Sequence, residues 1–269
     1  LLVGLKFPND LTGAPAEMYG LSLNSEISLY FFLPFVIFAT VAGWVCDRFS
    51  RSKILKVTKF TEIIVMTAGA YAIYLFHFQG MPVHRLLIAV VVLMALQSTF
   101  FSPARNGIIP QLFSEKESSD ANGMIEMLQF MGVIFGTAAS GLAFVSPYFL
   151  LLFPLIALLG AVASLFIPAT KAQNENLKFN WNIPADLFSG LKLINKNKSL
   201  RMCILGNSYF YALGVVLITC VLNMGKFDFA LDKQQSAYLL VVLSIGMGLG
   251  CFLAGKLSRG RIELGLVPI

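Results

Sequence analysis

Charge is scarce in this sequence. Lysine and arginine number 20 and aspartate and glutamate 14 in 269 residues, so charged residues make up 13% of the chain, against about 25% in a soluble domain. A soluble fold of this length could not cover itself with so little polar surface. With 57% hydrophobic residues and a mean hydropathy of +0.76, the chain reads as an integral membrane protein. Histidine is nearly absent: His77 and His84 flank one short polar stretch. No His/Cys/carboxylate cluster with metal-ligand spacing is present, and neither a nucleophile–base pair nor a His-x-x-x-x-Asp acyltransferase motif. The reading is therefore no enzyme, no cofactor and no metal. The four cysteines (Cys46, Cys203, Cys220, Cys251) lie far apart without a CxxC pair, as small buried hydrophobes would. No basic–aromatic patch suits nucleic acid, and the net charge of +6 follows from the loops. The chain opens on an apolar run, Leu1-Leu-Val-Gly-Leu, without a basic n-region, which is not a signal peptide. It reads as the tail of a helix that starts upstream, and Gly265–Ile269 as a helix just starting.

What is present is a series of apolar segments, each near the ~20 residues that cross a hydrocarbon core. They cover about 27–46, 54–76, 86–109, 121–144, 148–167, 200–223 and 236–255. Polar connections separate them. Residues 6–26 read as a loop; His77–Arg85 carries Gly80 and Pro82; Ser114–Asp120 is charged, with Asp120 placed to cap the next helix. From Lys171 to Ser199 the composition turns polar. Within it, Leu187, Leu191 and Ile194 recur at helical spacing, which predicts a short amphipathic helix over about 184–194. This gives three regions: 1–168, a linker 169–199, and 200–269.

Bases are lopsided across this topology. Sixteen of the 20 fall on the side of Arg48, Arg51 and Lys53, and only Lys6, Arg85, Lys226 and Lys233 on the other. The positive-inside rule then makes the 47–53 loop and the linker cytoplasmic.

Several charged and amide side chains fall inside the apolar segments, where an isolated charge costs about 2.5–3.5 kcal/mol. Lys59 and Glu62 share a helix face, as do Asn122, Glu126 and Gln129. Arg105 lies near one helix end, in a polar stretch with Gln97, Ser98, Ser102 and Asn106. Such groups should face the bundle interior and pair, Glu126 with Arg105 or Lys59. Together they are the candidate substrate-binding set, a polar patch for a charged headgroup. A static ion pair is the plainer alternative. Small residues recur every fourth position at Gly132, Gly136 and Ser140, and at Gly246, Gly250 and Ala254, the spacing that lets helices approach closely. Among the many aromatics, Tyr30, Phe31, Phe32, Phe35, Phe38, Phe100, Phe101, Tyr209, Phe210 and Tyr211 suit lipid-facing positions or an acyl-chain wall.

The loop Gly43-x-x-x-Asp47-Arg48-x-x-Arg51-x-Lys53 resembles the signature between the second and third helices of the major facilitator superfamily. A weaker second copy, Gly255-x-Leu-Ser-x-Gly-Arg261, lacks the Asp and follows six helices later. Phe101-Ser-Pro-Ala-Arg105-Asn-Gly107-Ile and Asp120-Ala-Asn-Gly-Met-Ile-Glu126 are similar to stretches of the bacterial lysophospholipid transporter family, including members fused to acyltransferase and acyl-carrier-protein ligase domains. The resemblance implies an all-α integral-membrane bundle, here a partial chain from the end of helix 1 to the start of helix 9. It implies alternating access in a bacterial inner membrane, with lysophospholipid or another amphipathic molecule as substrate and a fused or separate acyltransferase as partner. Gly43, Asp47, Arg48 and Arg51 would then gate the conformational change, the Asp capping a helix of the other half. The helices carrying the small-residue stripes would meet. Two rival readings are a proton-coupled exporter using Glu62 or Glu126, and a membrane anchor for fused enzymes.

Overall fold

The computed structural model describes residues 14–142, 146–180, 182–225, 229 and 233–257. Eight α-helices follow in order: α1 Ala14–Arg48, α2 Arg51–Ile73, α3 His84–Leu112, α4 Glu115–Leu142, α5 Leu152–Leu165, α6 Ile183–Lys196, α7 Lys198–Asn223 and α8 Lys233–Leu257. There is no strand among the described residues. Among the described residues five stretches are long and apolar enough to cross a membrane, Ile27–Arg48, Arg51–Phe78, His84–Leu112, Pro147–Leu165 and Lys198–Val221, and Val241–Ala254 in α8 is a shorter apolar run. The fold is an all-α, multi-pass membrane bundle.

The helices form two compact units. One holds α1, α2, α3, α5 and the stretch after α5; the other holds α4, α6, α7 and α8. In the first, α2 packs along α5 and against the end of α1. Small residues recur among its buried side chains: Ala72, Ala95, Ala104, Ala157 and Ala161. Without a hydrophobic driving force in lipid, close approach supplies the attraction, and small side chains permit it. At Gly69 a Cβ would lie 3.2 Å from Val90 Cγ1, so α2 and α3 touch there nearly backbone to side chain. Cys46, Ile54, Leu55, Ala104 and Ile108 build one core cluster, and Ile73 with Leu150 a second toward the other end. Large apolar side chains such as Phe31, Phe32, Ile64 and Leu159 point outward, as expected where lipid is the solvent.

Several boundaries differ from those read in the sequence. The loop expected through residue 26 is helical from Ala14, because Ala, Glu, Met and Leu favour helix and Pro15 sits at its first turn, where a missing N–H costs nothing. Residues 6–13 lie outside the described residues. Asp120 is inside α4, not its cap. Ser114 opens that helix instead, its N–H and hydroxyl both donating to the Glu117 carboxylate (3.1 and 2.7 Å) in the reach-back contact of a capping box. Those two bonds hold Glu117 below the ordinary carboxylate range. Ser114-Glu-Lys-Glu117 carries that signal in the sequence, where Asp120 drew the eye. The Pro147 segment starts as a 3-10 turn, Pro147–Leu151, before α5. Cys46 is buried, but Cys203 and Cys220 are exposed, so only part of the cysteine set is core.

In the second unit, α6 packs on α7 and α7 on α8. The close approach of α4 and α8 falls at Gly248, where a Cβ would meet Phe130 Cβ at 3.5 Å and the Met127 carbonyl at 3.8 Å. Gly132, Gly136, Gly246 and Gly250, the glycines of the two expected stripes, have nothing within 4 Å. The two helices do meet, but on a neighbouring face: a four-residue repeat fixes a stripe, not which stripe is used.

Candidate functional site

Two polar assemblies stand on α2, both within the first unit. The first is at its start. Ser50 has no capping hydrogen bond of its own, and the free Ser52 N–H of the first turn goes to Thr170 Oγ at 3.2 Å. Thr170 follows α5, so the chain returning from α5 caps α2 from outside its own sequence. The same returning segment is strapped across the α1–α2 loop. Asn174 N–H donates to the Asp47 carbonyl (2.9 Å), and Arg48 and Trp44 both donate to the Leu177 carbonyl (2.8 and 3.2 Å). The Phe179 ring meets Trp44 edge to face at 5.1 Å.

Arg51 is the hub of this assembly. It donates to the Gly107 carbonyl at 2.7 Å and to Gln173 Oε1 at 2.7 Å, and lies 3.7 Å from Asp47. Its Nε–H is buried without a partner among the described residues. The bond to Gly107 sets a cation on the last turns of α3, where the carbonyl end of the helix dipole favours it. It also explains the glycine: a Cβ there would lie 2.7 Å from Arg51 Nε and 2.8 Å from Cζ. Of the four residues read as a gate, Asp47, Arg48 and Arg51 join this clamp. Gly43 has open space where a side chain would sit. Gly107, Thr170 and Gln173 were not singled out from the sequence. Only the glycine of Ala104-Arg-Asn-Gly107 left a trace there, as part of a family stretch without a physical reason.

The second assembly lies two turns further along α2, inside the apolar span. Lys59 Nζ bonds Glu62 Oε2 at 2.7 Å, with side-chain exposures of 25% and 18%. The sequence offered Lys59 two carboxylates, Glu62 on its own helix face and Glu126, the latter with Arg105 as the alternative partner. The i, i+3 geometry within one helix supplies a carboxylate at no cost in chain entropy, and that partner is the one used. Gln97 of α3 donates to Glu62 at 3.4 Å and to the Thr58 carbonyl at 3.3 Å. The Lys59 ammonium stands 4.8 Å over the Phe101 ring and passes 3.7 Å from the point where a Gly160 Cβ would be. A glycine on α5 and an aromatic on α3 thus make the slot for the lysine stem and head. Gln97 and Phe101 complete a site of which the sequence named only Lys59 and Glu62.

The other candidate residues lie apart from this cluster or in the second unit. Arg105, one turn beyond Phe101, is half-buried and donates to Asn106 Oδ1 at 3.2 Å. On α4, Asn122 and Gln129 are exposed, and half-buried Glu126 has Cys251 of α8 as an electrostatic neighbour.

The profile of the Major Facilitator Superfamily matches residues 7–267. The chain belongs to the Major Facilitator Superfamily. Among curated proteins it is 24% identical over 249 residues to the lysophospholipid transporter LplT of Photorhabdus laumondii, covering 87% of this chain and 56% of that protein. It is 26% identical over 250 residues to LplT of Salmonella paratyphi B, covering 90% and 58%. Macrolide efflux protein A of Enterococcus faecalis is 25% identical over 197 residues, covering 71% and 59%. The chain thus spans a little over half the length of these relatives. No solved structure matches it. Within the superfamily, the clamp holds the signature loop, and the Lys59–Glu62–Gln97 cluster is a polar group set inside the membrane-spanning part.

Proposed function

We propose that this chain is part of a lysophospholipid transporter working by alternating access in a bacterial inner membrane, with the 47–53 loop and the 169–199 linker on the cytoplasmic side. The observation that carries the reading is the Lys59–Glu62–Gln97 cluster. An ammonium and a carboxylate 2.7 Å apart, with an amide beside them, mirror the charges of a zwitterionic phosphoethanolamine headgroup. The headgroup exchanges partners with the pair: its phosphate takes Lys59, as a charge-assisted bond, and its ammonium takes Glu62. Each charge inside the membrane keeps a counter-ion throughout, which removes the main cost of holding charge there. Arg105, further along α3, and the α4 set Asn122, Glu126 and Gln129 are the remaining candidate polar residues, each within its own unit. The product is delivered to an acyltransferase, fused or separate, that restores the diacyl lipid. The similarity to LplT across most of the chain favours this substrate class.

The test uses the whole protein in spheroplasts lacking their own lysophospholipid uptake. Labelled lysophosphatidylethanolamine is added outside and its conversion to diacyl lipid followed. Conversion should depend on the protein and fall at least tenfold, ~1.4 kcal/mol, in the double variant K59Q/E62Q. Conversion that is unchanged in a folded double variant removes the headgroup role. The similarity to a macrolide efflux protein supports a second reading, a proton-coupled exporter; drug resistance conferred without lysolipid conversion would select it.

A further inference from the structure

A groove of about 440 Å³ runs between the end of α1, α2 and α3. That volume falls in the range of small-molecule sites, about 300–1,000 Å³. Its wall is apolar: Phe49 of α1, Val57 and Val65 of α2, and Leu93, Leu96 and Phe100 of α3. Thr58, Thr61 and Gln97 also line it, but their donors are already used. The hydroxyls bond the Ile54, Leu55 and Val57 carbonyls, and the Gln97 amide bonds Thr58 and Glu62.

One charge opens on this groove, that of Lys53. It is exposed, and no described residue holds its ammonium by a hydrogen bond or ion pair. No carboxylate lines the groove. On α2 the wall extends from Lys53 to Val65, roughly 18 Å at 1.5 Å per residue. That is close to one leaflet, half of a ~30 Å hydrocarbon core. A cation at one end of an apolar trough one leaflet long matches one occupant.

We propose that this groove binds an anionic phospholipid of the surrounding bilayer, one acyl chain against Val57, Leu93 and Leu96 and the phosphate on Lys53. Lys56, three residues on, adds a second positive charge on the same side of α2. The absence of an acid among the lining residues disfavours a headgroup ammonium, so the site selects net-negative over zwitterionic lipid. This holds whichever solute the transporter moves, since the ion pair of Lys59 and Glu62 takes no part.

The test places the whole protein in nanodiscs of phosphatidylcholine containing a phosphatidylglycerol with a photoactivatable acyl chain, and maps the labelled peptides. Label should fall within residues 57–65 and 93–100. Unlabelled phosphatidylglycerol should compete it away, and equal phosphatidylcholine should not. K53Q should lower the labelling about five-fold, K53R should retain it, and L96W should block it by filling the trough. Should a variant fail to fold, competition on the unaltered protein decides alone. Labelling that is equal in K53Q, that both lipids compete equally, or that never saturates overturns the proposal.

Discussion

Arg51 and Lys59 are cations eight residues apart on one helix, and the protein treats them in opposite ways. Arg51 is tied to the backbone. One of its two acceptors is the Gly107 carbonyl, and a strap of residues 170–179 closes over the loop beside it. A backbone carbonyl cannot turn away, and the planar fork of a guanidinium can hold it together with Gln173. Lys59 is tied to side chains only: a carboxylate, and an aromatic face. Those partners can rotate, and an ammonium on a flexible stem can follow. The difference separates a cation fixed in part to backbone from one whose partners are all side chains. It also fits the charge balance: Arg51 carries a buried Nε–H with no partner among the described residues, a fixed cost held by the surrounding fold, while the Lys59–Glu62 pair is neutral by itself.

The sharpest way to break this comparison is to leave Lys59 without its carboxylate. E62A should cost about 3 kcal/mol, the low end for removing one partner of a buried pair, since both side chains keep some exposure. K59Q/E62Q should recover most of it, because two amides need no counter-ion. Thermal unfolding in detergent reads both. A double variant as unstable as E62A would mean that the pair is structural and not exchangeable.

A smaller effect belongs to the fixed hub. G107A puts a methyl 2.7 Å from the Arg51 guanidinium, which must move off the carbonyl. Loss of that charge-assisted bond should cost about 1.5–3 kcal/mol, seen as a lower melting temperature. G132A, where a side chain meets nothing within 4 Å, should not lower it. Equal melting points for the two would show that Arg51 is as free as Lys59.

The smallest effect tests the strap. T170V removes the hydroxyl that caps the Ser52 N–H and should cost about 1 kcal/mol, as losing a helix cap does. Faster amide hydrogen exchange in the first turn of α2 would register it. Unchanged exchange would assign the strap to Arg48 and Trp44 alone.

Much of this was legible beforehand. The apolar segments pointed to the class, because a membrane admits few other structures, and each of the seven overlaps a helix among the described residues, though only five stretches there are long and apolar enough to span. The α2 loop and the Lys59–Glu62 face stood out since charge is so costly there. What escaped was every partner supplied from afar. Gln97, Phe101 and Gly160 look like ordinary residues of an apolar span until α3 and α5 bring them to Lys59. Thr170, Gln173 and Leu177 look like linker until they close over Arg48 and Arg51. Even Lys59 had a plausible distant partner in Glu126, and spacing could not rank it against the near one.

By itself, then, the sequence determined that this chain is a helical membrane bundle and which of its charges had to be paired, because hydration is unavailable inside lipid and the alternatives are excluded by energy. Which residues of other helices and of the returning strap join those charges was decided only by tertiary structure. Helix faces rotate by packing small residues such as Gly69, Ala161 and Gly248 against their neighbours, and a linear pattern carries no record of that rotation.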